Sequence, residues 1–142
     1  MYLVSACLTG VKCRYDGSDC ANRIVQDMVN RGVAFPVCPE QLAGLPTPRE
    51  ACEISTDEKG NKKVVGKSGR DYTQEYREGA ERTLALCKAK GVNEAILKSN
   101  SPSCGCGKIF DGTFSGKGVK GDGITTELLK KNGIQVKTEG DL

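Results

Sequence analysis

Three cysteines of this chain each follow a short apolar run. Tyr2-Leu3-Val4-Ser5-Ala6 ends at Cys7, Val33 to Val37 ends at Cys38, and Ala95-Ile96-Leu97, running on to Lys98, lies a few residues before Cys104. Short apolar runs bounded by turn-forming residues predict strands buried on both faces. Between them run patterns of helical period. Ala21 to Arg31 would bury Ile24, Val25, Met28 and Val29 and stop at Gly32. Tyr72, Tyr76, Ala80, Thr83, Leu84 and Cys87 repeat at helical spacing up to Gly91, after Asp71-x-x-Gln74, which resembles a capping box. Thr125 to Lys131 would turn Leu128 and Leu129 inward, with Lys130 and Lys131 at its negative end and Gly133 closing it, before a last strand at Ile134 to Val136. Strand alternating with helix predicts an α/β fold with a mostly parallel, Rossmann-like sheet, helices on both faces and right-handed crossovers. Glu53-Ile54-Ser55 and Lys63-Val64-Val65 flank Gly60-Asn61 and predict a small peripheral hairpin. With 142 residues, 37% of them hydrophobic, the chain supports one core, so residues 1–142 are expected to form a single domain.

Eight cysteines accompany no histidine and no tryptophan. Without imidazole, neither a Ser/His/Asp triad nor a Cys/His dyad can be built, and any general base must be a carboxylate, lysine, tyrosine or thiolate. An even cysteine count also suits a disulfide-bonded secreted protein, but the start Met1-Tyr2-Leu3-Val4 has no basic leader and a chain of this size needs no staples. A soluble, cytoplasmic protein using its cysteines for metal, cluster or thiol chemistry is the expectation. No apolar run reaches the roughly 20 residues of a membrane span. A net charge of +3, with lysines scattered among acids, gives no support for nucleic-acid binding.

In a parallel sheet the carboxyl ends of the strands share one edge, where ligands bind, so Cys7, Cys38 and Cys104 are expected to converge there. Each sits among small or turn-forming residues: Ser5-Ala6-Cys7-Leu8, Val37-Cys38-Pro39-Glu40 and Ser101-Pro102-Ser103-Cys104-Gly105. Zinc sites favour tight cysteine pairs, and no CxxC is present. Cubane clusters accept ligands from separate loops, and three thiolates would leave one iron open as a Lewis acid. Buried cysteines also act as small hydrophobes, the reading that suits Cys87 and Cys52. Cys13, Cys20 and Cys106 stay open between a further ligand, a resolving thiol and no role.

Further motifs, in order along the chain, are Ser5-Ala6-Cys7-Leu8-Thr9-Gly10, Cys13-Arg14-Tyr15-Asp16-Gly17, Cys38-Pro39-Glu40-Gln41 through Pro46-Thr47-Pro48-Arg49, Gly69-Arg70-Asp71-Tyr72-Thr73, Gly79-Ala80-Glu81, Ser101-Pro102-Ser103-Cys104-Gly105 and Phe110-Asp111-Gly112-Thr113-Phe114-Ser115-Gly116. Together they resemble the thiouracil desulfidase family over nearly the whole chain. That resemblance implies a [4Fe-4S] cluster held by Cys7, Cys38 and Cys104, with the fourth iron free for the substrate's sulfur. It also implies catalytic work for Glu40, which follows Cys38-Pro39, and for Ser101. The expected reaction is non-redox desulfuration of a small thiolated pyrimidine, base or nucleotide, with Glu40 activating water and Ser101 assisting proton transfer or orientation. The alternative is a non-catalytic iron–sulfur or zinc-binding module for sulfur storage or partner binding, which would need the cysteines but not Glu40 or Ser101.

Gly112 to Gly123 holds five glycines with Lys117 and Lys120 directly before the last helix, a composition that suits either a phosphate cradle or a solvent loop. Arg14, Asp16 and Arg49 fall beside the expected site and would contact substrate or tie loops together. Tyr15 and Phe114 would stack on a pyrimidine or pack the wall of its pocket.

Overall fold

The computed structural model describes residues 1–142. Four short strands form its central sheet: β1 (Tyr2–Ser5), β2 (Ala34–Val37), β5 (Glu94–Leu97) and β8 (Gln135–Thr138), in the order β2-β1-β5-β8. Every neighbouring pair is parallel. The inner strands β1 and β5 are largely apolar because both of their faces are covered, whereas the edge strand β8 exposes Gln135 and Lys137. Leu3, Ala95 and Leu97 pack with Cys87 and Leu129 from α3 (Thr73–Lys90) and α4 (Ile124–Lys131), whereas Val4 and Ile96 pack with Val25 from α1 (Arg23–Asn30) on the opposite face. β2 lies at an edge of the sheet, where Pro36 can be accommodated without losing an interior ladder bond. From β1 the chain first steps to β2 on one side and then returns, through α3, to β5 on the other. The order therefore reverses between β1 and β5, and the carboxyl ends of those two strands border a crevice.

α1 starts at Arg23 because the Asn22 side chain accepts the Ile24 and Val25 amides, at 3.0 and 3.2 Å. That phase leaves Ile24 outside, at 52% exposure, and Val25 as the helix's buried residue, correcting the expected inward face. α3 has no capping box: Asp71 accepts the Thr73 amide, while the Gln74 amide group turns along the helix to Glu78.

The predicted hairpin forms from β3 (Cys52–Thr56) and β4 (Lys62–Gly66). Its turn is the longer segment 57–61, held by Asp57, whose carboxylate accepts the Lys59 and Asn61 amides. It stands apart from the central sheet, as expected, and is nonetheless well packed. Ile54 and Val64 are fully covered and build a third core with Tyr72, Tyr76 and Ile109. A second hairpin, β6 (Lys108–Phe110) with β7 (Gly118–Lys120), occupies much of the glycine-rich stretch. Its tip is tied to β3 by the buried Glu53, whose carboxylate accepts the Gly112 and Phe114 amides at 3.0 and 3.1 Å. The short helix α2 (Pro39–Leu42) packs on α3 at Gly79, where a Cβ would run into the Pro39 carbonyl.

Candidate active site

A cavity of about 290 Å³ opens at the carboxyl ends of β1, β2 and β5. Cys7, Cys38 and Cys104 all line it, together with Cys13 and Cys52. Cys7 sits in the 3-10 turn that continues β1, Cys38 sits between β2 and α2, and Cys104 sits on the turn after β5. None of the eight cysteines is paired in a disulfide.

The Cys104 turn is the most rigidly built of the three. Ser101 Oγ accepts the amides of Ser103 and Cys104, both at 3.1 Å. Thr126 Oγ1 donates to the Cys104 carbonyl at 2.8 Å, and the Ser103 and Thr125 hydroxyls meet at 2.8 Å. The amides of Ile124 and Thr125 donate back to the Pro102 and Ser103 carbonyls, both at 2.9 Å. Gly123 permits this contact, because a Cβ there would collide with the backbone of Ser103.

Glu40 reaches the cavity from the first turn of α2 and pairs with Arg49. Both side chains are deeply covered, at 13% and 6% exposure, so neither charge is free to relax into bulk water. Arg49 also donates to the carbonyls of Cys13 (3.0 Å) and Pro46 (3.2 Å) and to Thr47 Oγ1 (3.1 Å), and its own amide donates to the Tyr15 carbonyl at 2.6 Å. One guanidinium thus ties the Cys13–Tyr15 loop, the Pro46–Arg49 loop and the catalytic-candidate carboxylate to one another. Burial acts to lower its pKa, and the Glu40 carboxylate outweighs that and holds it above the ordinary value.

Four thiols on the cavity, Cys13, Cys38, Cys52 and Cys104, are tuned toward their protonated forms in the metal-free protein. Burial, followed by the Glu40 charge, pushes Cys104 up to about 12. Hydrogen bonding to Cys13 and then burial push Cys38 up. Cys13 rises to about 11: its contact with Cys38 acts to lower it, and the Cys7 thiol and burial prevail. Burial raises Cys52 to about 11, and it raises the Tyr76 phenol further from its usual range.

The donor set fits an iron–sulfur cluster. It consists of soft thiols carried on three separate loops around a cavity, and they do not gather into the compact group that a single ion requires. Cys7, Cys38 and Cys104 are the three that the strand ends supply, and Cys13 and Cys52 are neighbours able to donate hydrogen bonds around such a group.

The structure also brings Ser101, Arg14 and Tyr15 to this cavity. It does not bring Lys117 and Lys120, which stand exposed on the β6–β7 hairpin and do not line the cavity. The phosphate cradle suggested for that stretch has a physical obstacle, since the first amides of α4 are already bonded to the Cys104 turn. Phe114 is likewise absent from the lining, its place taken by Phe110. Cys87 is buried in the α3 core, and Cys20 and Cys106 lie outside the cavity. The sequence does not point to Tyr76, which reads only as part of the inward face of a helix, or to Lys98 and Asn100 close to Ser101. The one signal available for Asn100 was its position between a predicted strand and the Ser-Pro-Ser-Cys turn.

A doubly wound parallel sheet with a thiol-lined crevice at its switch point, where a buried carboxylate–guanidinium pair also sits, defines the class as a small α/β protein with a cysteine-rich site. Within that class the chain belongs to the 2-thiouracil desulfurase family, whose pattern it matches over residues 2–141. It is 48% identical to the uncharacterized protein YbbK of Bacillus subtilis (strain 168), over 100% of this chain and 97% of that protein. A solved structure of the [4Fe-4S]-dependent thiouracil desulfidase TudS superimposes with a TM-score of 0.90 at 43% identity, covering 99% of this chain and 91% of that one.

Proposed function

We propose that this protein removes sulfur from a thiolated uracil without net redox change, using a [4Fe-4S] cluster held by Cys7, Cys38 and Cys104. The observation that carries the reading is the meeting of three strand-end thiols and Glu40 on one cavity of a size that suits a small heterocycle beside a cluster. The eight free thiols fit a reducing, cytoplasmic setting. When bound, the cluster supplies an open iron that acts as a Lewis acid toward the thiocarbonyl sulfur.

The chain's own residues do the rest. Arg49 engages one oxygen of Glu40 and fixes the carboxylate in place; the other oxygen remains to accept a proton from water attacking the ring carbon. Ser101 has a narrower role than a free hydroxyl would. Both of its acceptor positions are used by the Ser103 and Cys104 amides, so what it offers the cavity is its O–H. It therefore donates, to the developing oxyanion or to the departing sulfur, and does not act as a base. The balance is one water consumed, one ring C=S replaced by C=O, and one hydrogen sulfide released. The partner is a small thiolated pyrimidine, and Arg14, at the cavity lining beside the exposed Tyr15, is placed to meet any charged substituent the ring carries.

The test is anaerobic reconstitution of the wild type and of Cys7→Ser, Cys38→Ser and Cys104→Ser, followed by loss of thiocarbonyl absorbance from 2-thiouracil, 4-thiouracil and 4-thiouridine monophosphate. Uptake of about four irons per chain and turnover by the wild type, both lost in the variants, is the expected result. Full cluster uptake with no turnover of any thiolated pyrimidine would remove the proposed substrate class and favour a cluster-binding module.

A further inference from the structure

Most hydrogen-bonding side chains on the cavity are already engaged by protein. Glu40 is bound to Arg49, Glu53 to the amides of Gly112 and Phe114, and Ser101 to those of Ser103 and Cys104. Lys98 Nζ donates to Ser99 and to Glu139, and Ser5 Oγ accepts the Lys98 amide. Asn100 differs. It carries the only carboxamide in the lining, and neither its oxygen nor its NH₂ bonds to another part of the protein. Its backbone is held at φ 62°, the left-handed conformation that asparagine adopts more readily than other non-glycine residues. The neighbours hold it there: the Ser99 amide donates to Glu139, and Asn100 itself forms an isolated bridge with Ile109. A pinned backbone thus brings a carboxamide with no protein partner to the cavity lining directly before Ser101.

We propose that Asn100 reads the imide edge of the substrate ring: its carboxamide oxygen accepts the ring N3–H and its NH₂ donates to the ring carbonyl next to N3. This rests on the desulfidase reading and adds the group that selects the base. A carboxamide is complementary to that edge, offering one acceptor and one donor side by side, as in its pairing with a base edge in nucleic-acid recognition. The geometry of thiouracils gives the assignment a further consequence. In the 2-thio isomer N3–H is flanked by the thiocarbonyl and by C4=O, and in the 4-thio isomer by the thiocarbonyl and by C2=O. Either isomer therefore shows Asn100 the same N3–H and C=O pair beside its sulfur. Asn100 accordingly selects an imide-bearing pyrimidine and leaves the choice of isomer to contacts on the N1 and C5–C6 side of the ring.

The experiment is equilibrium binding of the product uracil and of 3-methyluracil to the cluster-loaded protein, in the wild type, Asn100→Gly and Asn100→Asp, with turnover of 2-thiouracil measured in parallel. Glycine adopts positive φ freely, so Asn100→Gly removes the amide without straining the turn, and its melting temperature is the check on folding. The wild type is expected to prefer uracil by about tenfold or more, as sites built around a paired hydrogen bond do. Asn100→Gly should bind the two ligands alike, at the weaker level, with KM for 2-thiouracil raised by a similar factor. Asn100→Asp, which keeps an acceptor and loses the donor, should retain part of the preference. A folded Asn100→Gly protein that still prefers uracil, or a wild type that binds both ligands equally while turning over 2-thiouracil, overturns the role of Asn100 and leaves the desulfidase reading intact. A loaded wild type that neither binds uracil nor desulfurates any thiouracil overturns both.

Discussion

Cys87 and Cys104 belong to the same apolar cluster and are nearly equally hidden, at 0% and 5% exposure, yet they occupy opposite kinds of surroundings. Cys87 lies on the inward face of α3 against side chains of the sheet, and burial is the one cause that raises its thiol. Cys104 lies on a turn whose amides, carbonyl and neighbouring hydroxyls are all engaged, with Glu40 and Cys38 near enough to act on its charge and the hydroxyls of Ser5 and Ser103 pulling the other way. Burial alone therefore does not mark a working cysteine. The mark is polar scaffolding invested in the position of a single sulfur.

The contrast can be broken most sharply by swapping which thiol is removed. Cys104→Ser should abolish cluster uptake and turnover, read by iron content and visible absorbance, while Cys87→Ala retains both; equal losses in the two variants would erase the distinction. Next in size, Glu40→Gln should keep the cluster spectrum and lose about 10²- to 10⁴-fold in turnover, the usual worth of a positioned proton acceptor. Arg49→Met removes the tie among three loops and the partner of Glu40, and should cost about 10- to 100-fold in cluster affinity, turnover or both, as loss of a supporting contact around a metal ligand does. Arg49→Lys should recover only part of this, since one ammonium cannot reach the same set of acceptors.

The dependence of loading on pH is smaller and follows from the direction of the thiol shifts. With Cys104 pushed up to about 12 and Cys38 raised as well, these two thiols are protonated near neutrality in the metal-free protein, and cluster binding through them must release a proton from each. Cluster uptake is therefore expected to strengthen as pH rises, by up to about tenfold per unit for each proton released. A competition titration against an iron chelator between pH 6.5 and 8.5, roughly centred on neutrality, would measure the slope, which Cys87→Ala should leave unchanged. The smallest effect belongs to that same variant in the metal-free protein, where deletion of a buried sulfur should lower stability by about 1–2 kcal/mol in denaturant unfolding.

Much of this architecture was legible because strand ends and cysteines coincide along the chain. Leu3-Val4 and Ala95-Ile96-Leu97 read as two-faced strands since no polar residue interrupts them, and the topology they imply carries Cys7, Cys38 and Cys104 to one edge. Glu40 came from the family resemblance, and its buried partner Arg49 could not be assigned from spacing, because it approaches through a proline-rich loop that obeys no period. Tyr76 was hidden by the same logic that made α3 easy to find: an aromatic at helical spacing is first of all a core residue. The β3–β4 hairpin reads as peripheral because its alternation is short, and it does stand apart from the central sheet; only its packing against Tyr72, Tyr76 and Ile109 shows how fully Ile54 and Val64 are enclosed. The glycine-rich stretch invited a phosphate, and tertiary contacts decided otherwise by spending the amides of α4 on the chain itself.

Those amides have one more consequence. Because the carbonyls of Pro102 and Ser103 complete the first turn of α4, the segment bearing Cys104 cannot swing away without unwinding a helix end that also anchors Leu129 in the core. On the ligand assignment proposed above, the mould for the third ligand is part of the fold itself. Maturation of such a protein is then an act of filling, in which the entropy of arranging that ligand has been met by the same contacts that built the fold.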